Sequence, residues 1–249
     1  MTILIPAYNA QWFIGYAIAS VLNQTRDDWN IQILVDAKTT DNTYQKAKQV
    51  RSKTKRYRQI HINVSQEPGL PNVYKELIDR AEPKDDICGF LDADDRLLPK
   101  AVEVLLRNYD AAPDLGHVWS QFQLQPSGGK GWSRPIPKSM TQIEAFSRGW
   151  WGSQHWRTFR KSVYVHSPYE LQLDMPFATD YNLALVLAAT DCPHRYLKEV
   201  LYLYYRNKKG ITYSNQKKQR QCFIEMHRRF QRWRSKGGKC VSSSRKSTG

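Results

Sequence analysis

Phe90-Leu91-Asp92-Ala93-Asp94-Asp95-Arg96-Leu97-Leu98-Pro99 is the stretch on which the fold turns. Residues 87–91 form an apolar run with the length of a strand, three carboxylates follow at its carboxyl end, and Pro99 marks the start of a helix, because proline suits a first helical turn. A strand that delivers acids into the turn before a helix belongs to an open α/β sheet, whose ligands bind beyond the carboxyl ends of its strands. The same alternation runs through everything upstream. Ile3-Leu4-Ile5 stops at Pro6 and is followed by the turn Ala7-Tyr8-Asn9. Phe13, Ile14, Ala17, Ile18, Val21 and Leu22 then recur at helical spacing over 11–24. A second apolar run, 31–35, ends at Asp36, and the cap and turn formers Lys38-Thr39-Thr40-Asp41-Asn42-Thr43 lead into a second helix. A third strand over 60–64 and a helix over 72–81 complete the series. The fold class is therefore α/β, with a Rossmann-like, mostly parallel central sheet and helices on both faces.

Beyond residue 108 the pattern changes. Residues 109–160, rich in Trp, Gln, Gly and Pro, read as edge strands and long loops. Residues 180–189 are apolar on most sides and predict a buried helix; Tyr202, Tyr204 and Tyr205 predict a last strand. One domain with two halves, 1–108 and 109–212, is followed by a basic helical tail, 213–249.

The 249 residues hold 38 Lys and Arg against 23 Asp and Glu, a formal net charge of +15. Fourteen of the cations and one acid, Glu225, lie in 206–249, so the body is nearly neutral, with 24 basic and 22 acidic residues. That split argues against a domain presenting nucleic-acid-binding charge over its whole surface. A hydrophobic fraction of 41% excludes general disorder. No apolar run approaches the roughly 18 residues of a membrane span, and no leader pattern opens the chain. Cys88, Cys192, Cys222 and Cys240 show no C-x-x-C spacing, which indicates neither zinc nor a disulfide framework. The expected location is cytoplasmic. In the tail, Phe223, Met226, Phe230 and Trp233 form an apolar stripe among Lys217, Lys218, Arg220, Arg228, Arg229, Arg232 and Arg234. Such a stripe over 216–235 serves either peripheral contact with the anionic cytoplasmic face of a membrane or docking on the body; nucleic acid is the weaker partner.

Asp92, Asp94 and Asp95 carry the strongest chemical signal. Several carboxylates in one turn make a hard oxygen site for Mg²⁺ or Mn²⁺, against which stands a solvated turn with one Asp capping the next helix. A dehydrogenase is excluded, since no G-x-G-x-x-G follows the first strand.

Taken in order, the segments Ile3-Leu4-Ile5-Pro6-Ala7-Tyr8-Asn9, Ser20-Val21-Leu22-Asn23-Gln24-Thr25, Val35-Asp36-Ala37-Lys38-Thr39-Thr40-Asp41-Asn42-Thr43, Leu91-Asp92-Ala93-Asp94-Asp95 and Ala178-Thr179-Asp180-Tyr181 resemble a family 2 glycosyltransferase with the GT-A fold, over residues 2–212. The resemblance implies inverting transfer of a sugar from a nucleoside diphosphate sugar to an acceptor hydroxyl. It makes 1–108 the nucleotide-sugar half and 109–212 the acceptor half. Donor contacts then fall on Pro6, Ala7, Tyr8, Asn9, Asp36, Lys75, Asp92, Ala93, Asp94 and Arg206, with Lys208 and Lys209 closing over the diphosphate. The metal, Mn²⁺ or Mg²⁺, falls to Asp94 and Asp95. Asp180 becomes the general base, where the residue alone reads more readily as a helix-initiating acid. Trp150, Trp151, Gln154 and Thr179 become acceptor contacts, although large aromatics are as readily core. A UDP-sugar is the donor favoured, with a glycan or lipid-linked acceptor. Two departures bear on specificity: Ala37 stands where the family often has a base-reading Asp, and Thr179 where it has Glu. Gln154-His155-Trp156-Arg157-Thr158 lacks the final Trp of the processive Q-x-x-R-W motif, which implies non-processive transfer. The competing function is a carbohydrate- or nucleic-acid-binding protein that retains the fold.

Overall fold

Strand β1 (Thr2–Ala7) is buried along its whole length, and its side chains alternate between two cores. Ile3 and Ile5 face one helical layer, Leu4 the other, as the period-two geometry of a strand requires. In the computed structural model, which describes residues 1–82, 86–207, 210 and 214–238, the elements follow in the order α1 (Ile14–Leu22), β2 (Asn30–Val35), α2 (Thr43–Ser52), β3 (Ile60–Val64), α3 (Leu70–Arg80), β4 (Ile87–Phe90), β5 (Arg96–Leu97) and α4 (Ala101–Asp110). The second half adds β6 (His117–Gln125), α5 (Gln142–Ser147), β7 (Arg157–Arg160), α6 (Lys161–Val165), α7 (Thr179–Ala188), β8 (His194–Tyr205) and α8 (Gln216–Ser235).

One eight-stranded sheet runs β3-β2-β1-β4-β7-β6-β8-β5. The pairs from β3 to β4 are parallel, β7 lies antiparallel between β4 and β6, and β6 pairs parallel with β8. Helices α1, α2 and α4 supply the core on one face; α3, α5, α7 and α8 supply it on the other. The fold is thus α/β with a mostly parallel central sheet, as the alternation of segments predicts.

Residues 109–160 depart from expectation. β6 and β7 are interior strands of the sheet. Their polar side chains are satisfied inside the protein: the Gln121 amide donates to the Ser133 carbonyl at 3.2 Å and to the Tyr196 hydroxyl at 3.1 Å, and the Thr158 hydroxyl donates to the Val118 carbonyl at 3.0 Å. Gly89 permits the close approach of β4 to β7, since a Cβ there would meet Thr158 at 2.9 Å and Trp156 at 3.0 Å.

α8 is a wall of the body, with Met226 and Phe230 fully buried in the second core. Phe223 lies parallel to Trp151 at 5.5 Å and 4.2 Å from the Tyr181 ring, while Phe230 and Trp233 meet Tyr169 at 5.0 and 5.4 Å. Of the two expectations for the apolar stripe, membrane contact or docking on the body, the structure shows docking. Among the described residues no helix is long and apolar enough to cross a membrane. Lys208, Lys209 and the low-complexity end 242–249 lie outside the described residues.

Candidate active site

A cleft of about 560 Å³ opens at the carboxyl edge of the sheet, where β1, β2 and β4 end, β7 begins and α7 starts. The turn after β1 brings Pro6, Ala7, Tyr8 and Asn9 into its lining. Asn9 holds a left-handed φ of 46°, which asparagine tolerates, and its side-chain oxygen accepts from the Thr40 N–H at 2.9 Å, tying the first turn to the second. Asp36 lines the cleft at the end of β2, and both its oxygens are engaged: one accepts from the Lys38 N–H at 2.8 Å, the other from the Gly69 N–H at 2.7 Å. Gly69 sits at φ 100°, a conformation that suits glycine, immediately before α3.

The acid turn after β4 divides its carboxylates. Asp92 and Asp94 line the cleft. Asp95 turns into the core, where it accepts the Tyr202 hydroxyl at 2.7 Å and the Tyr205 N–H at 2.7 Å. The Tyr202 oxygen in turn accepts from the Asp92 N–H at 3.1 Å, so one tyrosine fixes both ends of the turn. Burial of the Asp92 carboxylate, opposed by Arg157 and reinforced by Asp94 and Asp180, pushes its pKa up to about 6. Burial raises Asp94 as well, moderated by the Asn207 amide that donates to it at 3.4 Å. Asp95 is raised far more, by burial and by its two acidic neighbours. Three carboxylates crowded into one turn, two of them facing the cleft, fit a divalent cation such as Mg²⁺ or Mn²⁺. Oxygens of Asp92 and Asp95 and a ring nitrogen of His155 also lie within 4.8 Å of one another. His155 is stacked on Tyr202 at 4.6 Å, and burial, with Arg157 nearby, pushes its imidazole well below the usual range, leaving it neutral.

Arg157, the first residue of β7, is the site residue that sequence reasoning missed. Because β7 runs antiparallel to β4, its beginning reaches the edge where β4 ends. Arg157 is 3% exposed, lines the cleft, and stands 3.6 Å from Asp180 and 4.0 Å from Asp92. Burial works against its charge, but Tyr74, Asp180 and Asp92 more than offset that and keep it protonated. Two of its nitrogens, Nε and Nη1, and the Thr179 hydroxyl are buried without a hydrogen-bond partner among the described residues. Polar groups of this kind mark places where a ligand completes the bonding. Before α7, Ala178 holds a left-handed φ of 55°, a strained conformation for a residue with a Cβ. It aims Thr179 and Asp180, in the first turn of α7, into the cleft, where the helix dipole favours a carboxylate.

Residues 2–166, well over half of the chain, match the family described as Glycosyl transferase family 2. The chain belongs to that family. Among solved structures this family 2 chain is similar to S. aureus TarS, with a TM-score of 0.67 at 14% identity over 92% of this chain and 38% of that one. TarS 1-349 in complex with UDP-GlcNAc gives a TM-score of 0.61 at 15% identity, covering 86% of this chain and 60% of that one. The mannosyltransferase PcManGT from Pyrobaculum calidifontis, in complex with GDP-Man and Mn²⁺, gives 0.64 at 17% identity, covering 91% and 62%. The chain spans between 38% and 62% of the lengths of these structures, and likeness at such identity shows the fold. No curated protein sequence matches it.

In this family 2 chain the cleft gathers Pro6, Ala7, Tyr8, Asn9, Asp36, Asp92, Ala93, Asp94, Thr179 and Asp180, with Lys38 beside them. Other expected contacts stand elsewhere. Lys75 pairs with Asp79 at 2.6 Å on the exposed side of α3, and Arg206 is exposed outside the cleft lining, where Asn207 takes the place beside Asp94. Trp150 and Gln154 are buried, and Trp151 packs between Tyr181 and Phe223, so these three are core. Asp95, expected on the metal, also anchors the turn through Tyr202 and Tyr205, and its carboxylate lies with that of Asp92 and with the His155 ring in a group that could hold a cation.

Proposed function

We propose that the chain is a metal-assisted, inverting, non-processive glycosyltransferase that moves a sugar from a nucleoside diphosphate sugar to an acceptor hydroxyl, with Asp180 as general base. The observation that carries this reading is the convergence of Asp36, Asp92, Asp94 and Asp180 on one cleft, at the carboxyl edge of the sheet of a family 2 chain. Similar folds bind UDP-GlcNAc in TarS and GDP-Man with Mn²⁺ in PcManGT, so these two nucleotide sugars are the first donors to try.

Asp92 and Asp94 would hold the cation. When bound, Mn²⁺ or Mg²⁺ supplies the positive charge that stabilises the departing diphosphate. The turns at 6–9 and 36–38 receive the nucleotide; with Ala37 where the family often has a second Asp, base recognition falls to Asp36 and the backbone around it. Asp180 accepts the proton of the acceptor hydroxyl as that oxygen attacks the anomeric carbon from the face opposite the leaving group. Arg157, 3.6 Å away, keeps the Asp180 carboxylate oriented, and its unpartnered N–H groups are available to a substrate oxygen.

Incubation with a panel of nucleotide sugars and Mn²⁺ tests the reading. Release of nucleoside diphosphate that disappears in Asp180→Asn supports it. Failure to bind or hydrolyse any donor, together with no effect of Asp94→Asn on nucleotide binding, overturns it in favour of a binding protein that keeps the fold, the second reading that Ala37 and Thr179 favour.

A further inference from the structure

The acid turn offers a cation two places, and one of them lies behind the cleft. Asp92 lines the cleft, whereas Asp95 and His155 stand outside its lining, 1% and 7% exposed. An oxygen of each carboxylate and a ring nitrogen of His155 lie within 4.8 Å of one another. Ligand atoms held about 2.0 to 2.2 Å from an ion stand roughly 3 to 3.5 Å apart, so small side-chain rotations close this group onto one.

The imidazole separates this group from an ordinary cluster of acids. His155 fills an aromatic slot, stacked on Tyr202 at 4.6 Å and on Tyr204 at 5.2 Å and edge-on to Phe122 at 5.3 Å. A phenyl ring suits such a slot without bringing any polar atom. The imidazole brings two nitrogens, and Nδ1 is buried without a hydrogen-bond partner among the described residues. A buried polar atom left in that state marks a place where a ligand completes the bonding. Asp95 has capacity to spare: its oxygens accept the Tyr202 hydroxyl and the Tyr205 N–H, each at 2.7 Å, and a carboxylate offers about four lone-pair sites. The charges also balance, since a divalent ion offsets the two buried carboxylates beside a neutral imidazole, while Arg157, 4.0 Å from Asp92, is shared with Asp180.

We propose that Asp92, Asp95 and His155 bind a divalent first-row metal ion such as Co²⁺, Zn²⁺ or Mn²⁺, in preference to Mg²⁺, at an inner site that pins the acid turn from behind. Asp94 remains free for the cation that meets the diphosphate, and Asp92, with two oxygens, is common to the two positions. Nitrogen sets the preference. Mg²⁺ takes oxygen ligands and keeps its waters, whereas imidazole suits the borderline ions that follow it in softness. Uptake of the inner ion needs neither donor nor acceptor, so it is independent of sugar transfer.

Metal-stripped full-length chain, without nucleotide, is titrated with Co²⁺, Zn²⁺, Mn²⁺ and Mg²⁺ by calorimetry, and the Mn²⁺ form of chain labelled with ¹⁵N-histidine is read by pulsed electron paramagnetic resonance. Wild type is expected to take up a single Co²⁺ at least about 100-fold more tightly than Mg²⁺, and its Mn²⁺ spectrum to carry the coupling of a directly bound histidine nitrogen. His155→Phe keeps a ring in the aromatic slot; it should lose that coupling and at least about tenfold in Co²⁺ affinity, with little change for Mg²⁺. Asp94→Asn should retain both the coupling and the Co²⁺ affinity. If His155→Phe does not fold, loss of the coupling in folded Asp95→Asn supports the inner site, and its persistence there overturns it. Co²⁺ affinity no greater than that for Mg²⁺, a wild-type Mn²⁺ spectrum without histidine nitrogen, unchanged affinity in His155→Phe, or uptake that requires nucleotide and vanishes in Asp94→Asn would also overturn it. If the ion binds as expected while no donor is ever turned over, the inner site stands and it is the glycosyltransferase reading that fails.

Discussion

Asp92→Asn offers a measurement in which the acid turn reveals its cost without any knowledge of substrate. In the folded chain, burial pushes the Asp92 carboxylate from an ordinary 3.8 to about 6. The folded state thus holds this proton more tightly than the unfolded chain does. Stability from this group is fully present below about pH 4, is lost as pH rises through about 6, and stays lost above that. A shift of about two pKa units corresponds to roughly 3 kcal/mol. The side chain is 31% exposed, so solvent relaxes part of that, and about 1 to 2 kcal/mol is the expected net effect. Asparagine imitates the protonated carboxyl and removes the penalty. In chelator-treated protein, Asp92→Asn should therefore melt roughly 2 to 8 °C above wild type at pH 8, and the difference should shrink to nothing near pH 4. The assay is a thermal melt at half-unit pH steps. A variant no more stable than wild type at pH 8, or equally stabilised at pH 4 and pH 8, would refute the claim that repulsion and desolvation are concentrated at this carboxylate. Adding Mn²⁺ should reverse the order of the two proteins at pH 8, since the cation rewards the carboxylate that asparagine lacks.

Three further outcomes are expected. Asp180→Asn should lower kcat by about 10² to 10⁴ while leaving donor KM within a few fold, as loss of a general base does; a fall in donor affinity alone would reassign the residue to binding. In Asp94→Asn the Mn²⁺-dependent part of the nucleotide-induced thermal shift should vanish, whereas Asp95→Ala should lower the melting temperature itself, because it strands the Tyr202 hydroxyl and the Tyr205 N–H. Phe230→Ala, at a fully buried position on α8, should cost about 3 to 5 kcal/mol, read from chemical denaturation; a helix that merely trails from the body would show no such loss.

The parts of this molecule legible in its sequence are those whose physics is local. A strand buried on both faces is a short apolar run, and the residue that follows it must turn, so 3–9, 31–43 and 87–99 announced both the parallel half of the sheet and the acids at its edge. Asp180 was legible for the same reason, as an acid in the first turn of a helix too apolar to be anything but buried. What escaped depends on partners distant in the chain. β6 and β7 fall in a stretch that reads as edge strands and long loops, yet they are interior strands whose polar residues Gln121 and Thr158 find their hydrogen bonds within the fold. Arg157 escaped because its importance follows from the direction of β7: reversed, the same strand would carry that guanidinium to the far edge of the sheet, away from Asp92 and Asp180. The apolar stripe of α8 was visible as periodicity, but periodicity names a face and not what covers it. Once Trp151, Tyr169 and Tyr181 are seen to cover that face, the cationic end of the chain changes meaning. It lies against the domain, with Arg229 bridging Asp174 and Glu225 and with Asn215 and Gln219 reaching the lining of the cleft. A near-neutral body with a basic tail is, in three dimensions, one domain whose basic helix closes the second core beside an acidic cleft.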